Sequence, residues 1–346
     1  MQKYNLTKKQ KMMIQNHRKE IQDILSGKDN RLLIITGPCS IHDTNQAMQI
    51  AQNLKLEQEK YKDTLKIVMR TYYDKPRTVT GWEGLAYDPN LDSSYDVEKG
   101  IKLTQKLMED ITDLDLAIGF EIENPDMADN FIQYASWVAM GARNSESQTN
   151  RKYLSGLHMP VGAKHRRDGC LTSGAQTVHS INNPHKLYRN NQLTQTHGNQ
   201  FTSMVLRGHA NGSNLTEPEM LTGIKQMLKL TIPNTNLICD LSHDNCLIDG
   251  KKDYNLQPQN FDQTLKLMKN NSLLEQHIKG FMIESNINSG NQSIGNGENL
   301  EYGISITDGC ISLEQNSKIL QSAHNYITQK NNLNQNLQSN SNIKVA

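Results

Sequence analysis

Eight short apolar runs in this chain lead into residues that can do chemistry: in order Cys39, Arg70, Glu121, Arg143, Lys164, Arg207, His243 and Glu284. Gly, Asn, Asp and Ser are the more usual residues where a strand gives way to a turn. The loop after the second run, TYYDKPRT, adds Lys75 and Arg77, so that Arg70, Lys75, Arg77, Arg143, Lys164 and Arg207 make a set of six cations. A lone cation at a strand end is ordinarily solvated or ion-paired, and worth little. Six on one rim repel one another unless anions bind among them. Phosphates suit them, because guanidinium forks match phosphate oxygens. Six are enough for a phosphate, a carboxylate and a second phosphate. Cys39, His243, Glu284 and Asp308 form a second set. One thiolate, one imidazole and two carboxylates suit a borderline divalent ion (Mn2+, Fe2+, Co2+ or Zn2+) better than Mg2+ or Ca2+. Taken singly, Cys39 reads as a buried thiol and His243, in DLSHDN, as a hydrogen-bonded turn residue. Ligands scattered this widely do not define a site by spacing.

The elements that must position these residues follow from periodicity. The apolar runs cover 32–36, 67–69, 114–119, 137–141, 160–163, 204–206, 237–239 and 278–283. Most gaps hold a helix-like stretch, such as NQAMQIAQNLKLEQEKYKD or DVEKGIKLTQKLMEDI, and SESQTNRKYLSG has room for one short helix. Short buried strands alternating with helices predict a parallel α/β fold, and eight such units predict a (β/α)8 TIM barrel. In a barrel all the strand ends named above share the face where active sites are built. The competing architecture, a doubly wound open sheet, is weakened because no GxGxxG follows the first strand. A charged amphipathic helix is predicted over 7–26. The expected organisation is a helical extension at 1–30, a catalytic barrel at 31–328 and a frayed polar tail at 329–346. The segment SGNQSIGNGENLEYG lacks the Lys of a phosphate loop and reads as a flexible connector to Asp308.

Composition removes several classes. The chain has 346 residues, with 37 Lys and Arg against 36 Asp and Glu, a net charge of +1. That balance argues against a nucleic-acid partner. No apolar run approaches the roughly 20 residues a membrane span needs, and the first residues lack a signal-peptide core. Five Cys without CxxC spacing read as reduced thiols in a cytoplasm.

The motifs in order resemble those of class I 3-deoxy-D-arabino-heptulosonate-7-phosphate (DAHP) synthases. They are GPCSIHD (37–43), MRTYYDKPRT (69–78), GWEGLAYDPNLDSSYDV (81–97), GARNSESQTNR (141–151), SGLHMPVGAK (155–164), LRG (206–208), DLSHDN (240–245), MIESNINSGNQ (282–292) and YGISITDGCIS (302–312), and the similarity runs from about residue 18 to about 325. The resemblance implies a (β/α)8 barrel, a divalent metal, and two substrates, phosphoenolpyruvate (PEP) and erythrose 4-phosphate. Carried over by motif, Cys39, His243, Glu284 and Asp308 match the metal ligands. Arg143, with Gly141 and Ala142 before it, Lys164 and Arg207 match the surroundings of the PEP phosphate. Arg70 and Lys75 match its carboxylate end, and Glu121 an acid near the PEP pocket. Arg77 and Thr78, after Pro76, match the erythrose 4-phosphate site. Lys75, Lys164 and His243 are the implied catalytic residues, Lys75 handling a proton near the aldehyde oxygen and Lys164 near the phosphate. A homodimer or homotetramer is expected by the same analogy.

Three departures from the family pattern stand out. After Lys164 the family has Asn-Gly-Thr-Asp-Gly, where this chain has His165-Arg166-Arg167-Asp168-Gly169. The family's Arg-Gly-Gly reads Arg207-Gly208-His209, and Ala210-Asn211-Gly212-Ser213-Asn214 replaces a Pro-Asn-Tyr-like turn. His209 is therefore expected where backbone comes close to ligand. His158 and Ala128 stand where the family's aromatic amino-acid pocket has Ser and Pro, and part of the N-terminal effector arm is expected to be missing. The expectation is weak or absent feedback by Phe or Tyr. Two alternatives follow from the altered loops: a related synthase taking PEP with another phosphorylated aldose, and a non-catalytic regulatory member.

Overall fold

The computed structural model describes the backbone of residues 6–77, 80–295 and 297–343, and the side chains of these up to residue 333. Helix α1 (Lys8–Leu25) precedes eight strands: β1 (Leu32–Gly37), β2 (Leu65–Arg70), β3 (Ala117–Ile122), β4 (Ala135–Met140), β5 (Val161–Lys164), β6 (Thr202–Leu206), β7 (Leu237–Asp240) and β8 (Ile278–Asn286). Each pairs in parallel with the next, and β8 returns to β1 from Gly280↔Leu33 to Glu284↔Gly37, closing the barrel. Outside it lie α2 (Thr44–Tyr61), α3 (Val97–Asp113), α4 (Pro125–Ala128), α5 (Gln148–Leu154), α6 (Leu171–Asn182), α7 (Glu217–Lys229), α8 (Gln257–Asn270), α9 (Ser272–His277) and α10 (Leu313–Ile343). The architecture is the (β/α)8 barrel that the alternation predicts.

Side chains alternate across each strand, so one set of positions faces the barrel axis. Near the strand starts this set is apolar. Leu33, Ile35, Val68, Ala117, Trp137, Ala139, Val205, Ile238 and Met282 form a cluster distinct from the layer under the helices. Gly162 makes room for Trp137, since a Cβ there would lie 2.2 Å from the indole. Ile21, Ile24 and Leu25 of α1 join the same cluster and stopper the barrel where the strands begin. The Asn236 side-chain amide donates to Leu25 O at 2.8 Å, and Lys66, the inward residue at the start of β2, pairs with Glu20 of α1. Four residues further along β2, past Val68, the inward set turns ionic, and Arg70, Glu121, Lys164, Asp240 and Glu284 are all buried at the opposite end.

Several expectations needed correction. The third strand begins at Ala117, because Leu114 caps α3 and Asp115 adopts φ 54°. It continues through Glu121, so this acid lies within the strand. Residues 329–343, expected to fray, continue α10. The glycine-rich segment is tied down: Asn288 N–H donates to Gly303 O, Gln292 N–H to Ser305 O, and Gly290 bridges Cys310. Two hairpins were not foreseen, Lys186–Arg189 with Gln192–Gln195 and Leu247–Ile248 with Lys251–Lys252. Their turns, Asn190-Asn191 and Asp249-Gly250, have both central φ positive, which is the tight hairpin turn these residues favour.

Candidate active site

The deepest part of the charged end is built on β1, β2 and β8. Arg70 and Glu284 are fully buried and pair at 2.9 Å. Arg70 Nε donates to Pro38 O at 3.2 Å, and its guanidinium lies 3.9 Å from the centre of the Tyr72 ring. Ser242 Oγ donates to Glu284 Oε2 at 2.8 Å, and the Gln257 side chain brackets the Glu284 backbone with two further hydrogen bonds. Burial alone would raise the Glu284 carboxyl. His243, Arg70 and Lys75 overcome it and hold the group at about 2.

Cys39, Glu284 and Asp308 each bring a donor atom within 4.8 Å of the others. His243 stands beside them, with Nε2 3.4 Å from Glu284 Oε1 and Nδ1 2.7 Å from Asp240 Oδ2, at an angle short of a good hydrogen bond. Its backbone has φ 54°, a costly conformation for a side chain of this size and one that recurs at functional sites. A buried carboxylate behind a histidine is the arrangement that leaves the other ring nitrogen free for a metal. Sulfur and carboxylate donors at this spacing fit a borderline divalent ion, and the His243 imidazole, outside that group of three, stands next to Glu284. Burial first, then Glu284, push the Cys39 thiol up, while Lys75 and Arg70 oppose them. Lys75 Nζ donates to Cys39 Sγ at 2.8 Å, and Lys252 meets Asp308 Oδ2 at 2.7 Å.

Above this floor opens a cavity of about 420 Å3. One wall carries Arg143, Lys164, Arg167 and Arg207, from the loops and ends of β4, β5 and β6. Lys164 sits 3.4 Å from Glu121, and Arg207 pairs with Asp244. Burial raises the Glu121 carboxyl, but Lys164, His243 and Arg70 outweigh it and keep it low. Two other acids at this rim behave oppositely. Glu123 is raised to about 8 by burial, then by Glu121 and Asp74; Asp74 is raised to about 7 by burial, then by Glu121 and Glu83. Asn144 Nδ2 donates to Glu123 Oε2 at 2.7 Å, and a Cβ on Gly141 would fall 1.9 Å from Glu123 Oε1.

The expected residues divide by depth. Lys75, Pro76, Arg77, Glu121, Ala142, Arg143, Lys164, Arg207, His243 and Asp308 line the cavity. Arg70, Cys39 and Glu284 lie beneath it, and Gly141 stands behind its wall against Glu123. Thr78 lies outside the described residues. His209 does not crowd the cavity as expected. Its Nε2 reaches Glu219 of α7 at 3.2 Å, and its ring packs over Gly169. Of the two added arginines, Arg166 pairs with Glu146 and Asp168, and only Arg167 lines the cavity. Sequence reasoning missed Glu123, Asp240, Asp244 and Lys252. The first two had a signal, since each stands two residues from another residue of the inward set; Lys252 had none, being placed by a hairpin.

Comparison with known proteins agrees with this geometry. The profile of the DAHP synthetase I family matches residues 6–321. The Tyr-sensitive phospho-2-dehydro-3-deoxyheptonate aldolase of Escherichia coli (strain K12) is 37% identical over 327 residues, 93% of this chain and 89% of that protein. The tyrosine-inhibited phospho-2-dehydro-3-deoxyheptonate aldolase of Candida albicans is 39% identical over 307 residues, 86% of this chain and 81% of that protein. The solved structure of phospho-2-dehydro-3-deoxyheptonate aldolase from Francisella tularensis SCHU S4 superposes with a TM-score of 0.87 at 34% identity, covering 93% of each chain. With a family match over nearly its whole length and the same barrel, the chain belongs to the DAHP synthetase I family.

Proposed function

We propose that the chain is a metal-dependent DAHP synthase, condensing phosphoenolpyruvate with erythrose 4-phosphate and releasing phosphate at the first step of the shikimate pathway. The observation that carries this reading is the cavity that sets Arg143, Lys164 and Arg207 over a floor of Cys39, Glu284 and Asp308. A divalent metal (Mn2+, Fe2+, Co2+ or Zn2+) held by Cys39, His243, Glu284 and Asp308 would act as a Lewis acid on the aldehyde oxygen. Arg143, Lys164 and Arg207 grip the PEP phosphate and stabilise it as it leaves. Arg70, beneath, fixes the floor toward the carboxylate end. Arg77, with Thr78, takes the phosphate of the aldose. PEP attacks the aldehyde carbon through C3, and positive charge develops at C2. Water adds there, and phosphate departs with cleavage of its C–O bond. Lys75 supplies the proton that the aldehyde oxygen takes up; Lys164 handles the one at the phosphate end. Holding both substrates in one cavity contributes the orientation term. A cytoplasmic homodimer or homotetramer with weak or no Phe or Tyr feedback completes the reading. No helix among the described residues is long and apolar enough to cross a membrane.

Arg167, a cation where the family has a small neutral residue, favours keeping a second reading, a sister synthase for another phosphorylated aldose. Incubating the metal-loaded protein with PEP and a panel of aldose phosphates, and measuring phosphate release, separates the two. Turnover with erythrose 4-phosphate is expected. Turnover only with another sugar selects the sister enzyme, and none with any sugar selects a non-catalytic member.

A further inference from the structure

His165 and Asn214 belong to the two loops that depart from the family pattern, and they meet inside the protein. Both are fully buried, and Asn214 Nδ2 lies 2.7 Å from His165 Nε2. The orientation of the amide is set by its other end, because Asn214 Oδ1 accepts from Gly208 N–H at 3.0 Å. His165 Nε2 also receives the backbone N–H of Arg207 at 3.3 Å, while Nδ1 lies 2.7 Å from the carbonyl of Arg166. A ring nitrogen facing two donors must be the acceptor, and one facing a carbonyl must carry the proton. His165 is therefore a neutral imidazole protonated on Nδ1. Its position matters because it directly follows Lys164, so one ring ties the end of β5 to the backbone of Arg207 at the end of β6.

The network extends to the end of β7. Asn245 Oδ1 accepts from Asn214 N–H at 2.8 Å and from Ser213 Oγ at 3.0 Å, while its Nδ2 donates to Leu206 O at 3.1 Å and Asp240 O at 2.6 Å. Gly208, at φ 75°, lets the chain turn against this network, since a Cβ there would lie 2.3 Å from Asn245 N. Arg207 thus has its backbone N–H held by His165 and its guanidinium held by Asp244. A buried, fully paired network of this kind specifies one arrangement. A cation misplaced by about 1 Å loses much of its purchase on a phosphoryl group.

We infer that His165, acting with Asn214, is a positioning residue that sets Lys164 and Arg207 for one phosphate, the phosphoryl group of the enolpyruvate substrate. This rests on the functional reading above, which places those two cations at that phosphate. The test uses the full-length, metal-loaded protein, with calorimetric binding of PEP and of inorganic phosphate beside steady-state kinetics. His165→Leu removes the acceptor and strands the Arg207 N–H. It is expected to weaken PEP and phosphate binding, and raise the KM for PEP, by about tenfold or more. The KM for the aldose phosphate is expected to stay within about twofold, and kcat to fall less than the KM rises. His165→Gln places an amide oxygen near the position of Nε2 and is expected to recover PEP binding to within about threefold. A folded His165→Leu protein with unchanged PEP affinity overturns the inference, as does equal loss for both substrates or a folded His165→Gln protein as weak as His165→Leu. Should His165→Leu fail to fold, Asn214→Ala decides the question in the same way, with selective weakening of PEP expected. Wild-type protein that binds PEP without turning it over sinks the synthase reading and leaves the binding test intact. Wild-type protein that binds neither PEP nor phosphate overturns both.

Discussion

At the scale of single residues, the barrel converts a two-residue alternation into a stack of apolar and ionic layers. Val68 and Arg70 share one face of β2, yet one touches Trp137's cluster and the other pairs with Glu284. Lys75 is the ammonium nearest the thiol, and burial alone would lower its affinity for a proton. Cys39, Glu284 and Asp308 reverse this and raise it, so the Lys75 ammonium is charged and able to donate a proton. Lys75→Met should lower kcat by about 10²–10⁴, the usual span for general acid catalysis, with PEP binding little changed. Full kcat in that variant, by stopped assay of phosphate release, would remove Lys75 from the mechanism.

His165 makes a second prediction at this scale. Burial, first, and the nearby Arg207 and His209 depress its folded value from 6.5 to about 4, against Asp168 and the Arg166 carbonyl, which raise it. The unfolded chain therefore takes up the proton first as pH falls. The stabilisation is complete above about 6.5, is lost progressively toward 4, and amounts to at most about 3 kcal/mol. His165→Gln lacks this dependence. Urea unfolding of both proteins at pH 7.5 and pH 5 should show wild type losing more stability than the variant over that interval. An equal loss would mean that His165 does not titrate as its burial requires.

At the scale of elements, α1 belongs to the barrel. Thr7 and Gln10 start it with a capping box, and Ile21, Ile24 and Leu25 fill the end that the barrel strands leave open. Ile24 is fully buried. Ile24→Ala should cost about 2–5 kcal/mol, the range for truncating a buried aliphatic side chain, as measured by urea unfolding. A loss below about 1 kcal/mol would show that the helix end can collapse onto the space. The loops at the other end need no such plug, because side-chain networks hold them. His165, Asn214 and Asn245 lock three strand ends, and Ile311–Ser312 pairs with the end of β8 and so brings Asp308 back to the floor.

At the scale of the whole molecule, a net charge of +1 conceals a separation. Cations gather at one end of the barrel, where Arg77 and Arg167 have no ion-pair partner among the described residues, and Cys39, Glu284 and Asp308 gather beneath them. A metal bound there stabilises the folded state by mass action, by about 4 kcal/mol when the free ion exceeds its dissociation constant a thousandfold. Chelation should lower the melting temperature and stop phosphate release; added Mn2+ should restore both. Cys39→Ala should abolish the thermal shift, seen by calorimetry without any substrate. A shift of full size in that variant would exclude Cys39 as a ligand.

The sequence by itself determined the barrel, because eight buried runs spaced by amphipathic stretches leave little else to form, and periodicity is a local property. It also marked the cations and the four candidate metal ligands, Cys39, His243, Glu284 and Asp308, since each ends an apolar run or sits in a motif loop. Only the tertiary structure decided which of them meet. It put Arg70 beneath the cavity, turned Arg166 to surface acids and Arg167 inward, and swung His209 onto α7. It joined His165 to Asn214 across 49 residues of chain. It also brought in Lys252 on a hairpin whose two-residue strands, Leu247–Ile248 and Lys251–Lys252, are too short to show any alternation. Such pairings depend on distances between residues far apart in the chain, and on which neighbour offers each buried polar group a partner, and neither is written in local pattern.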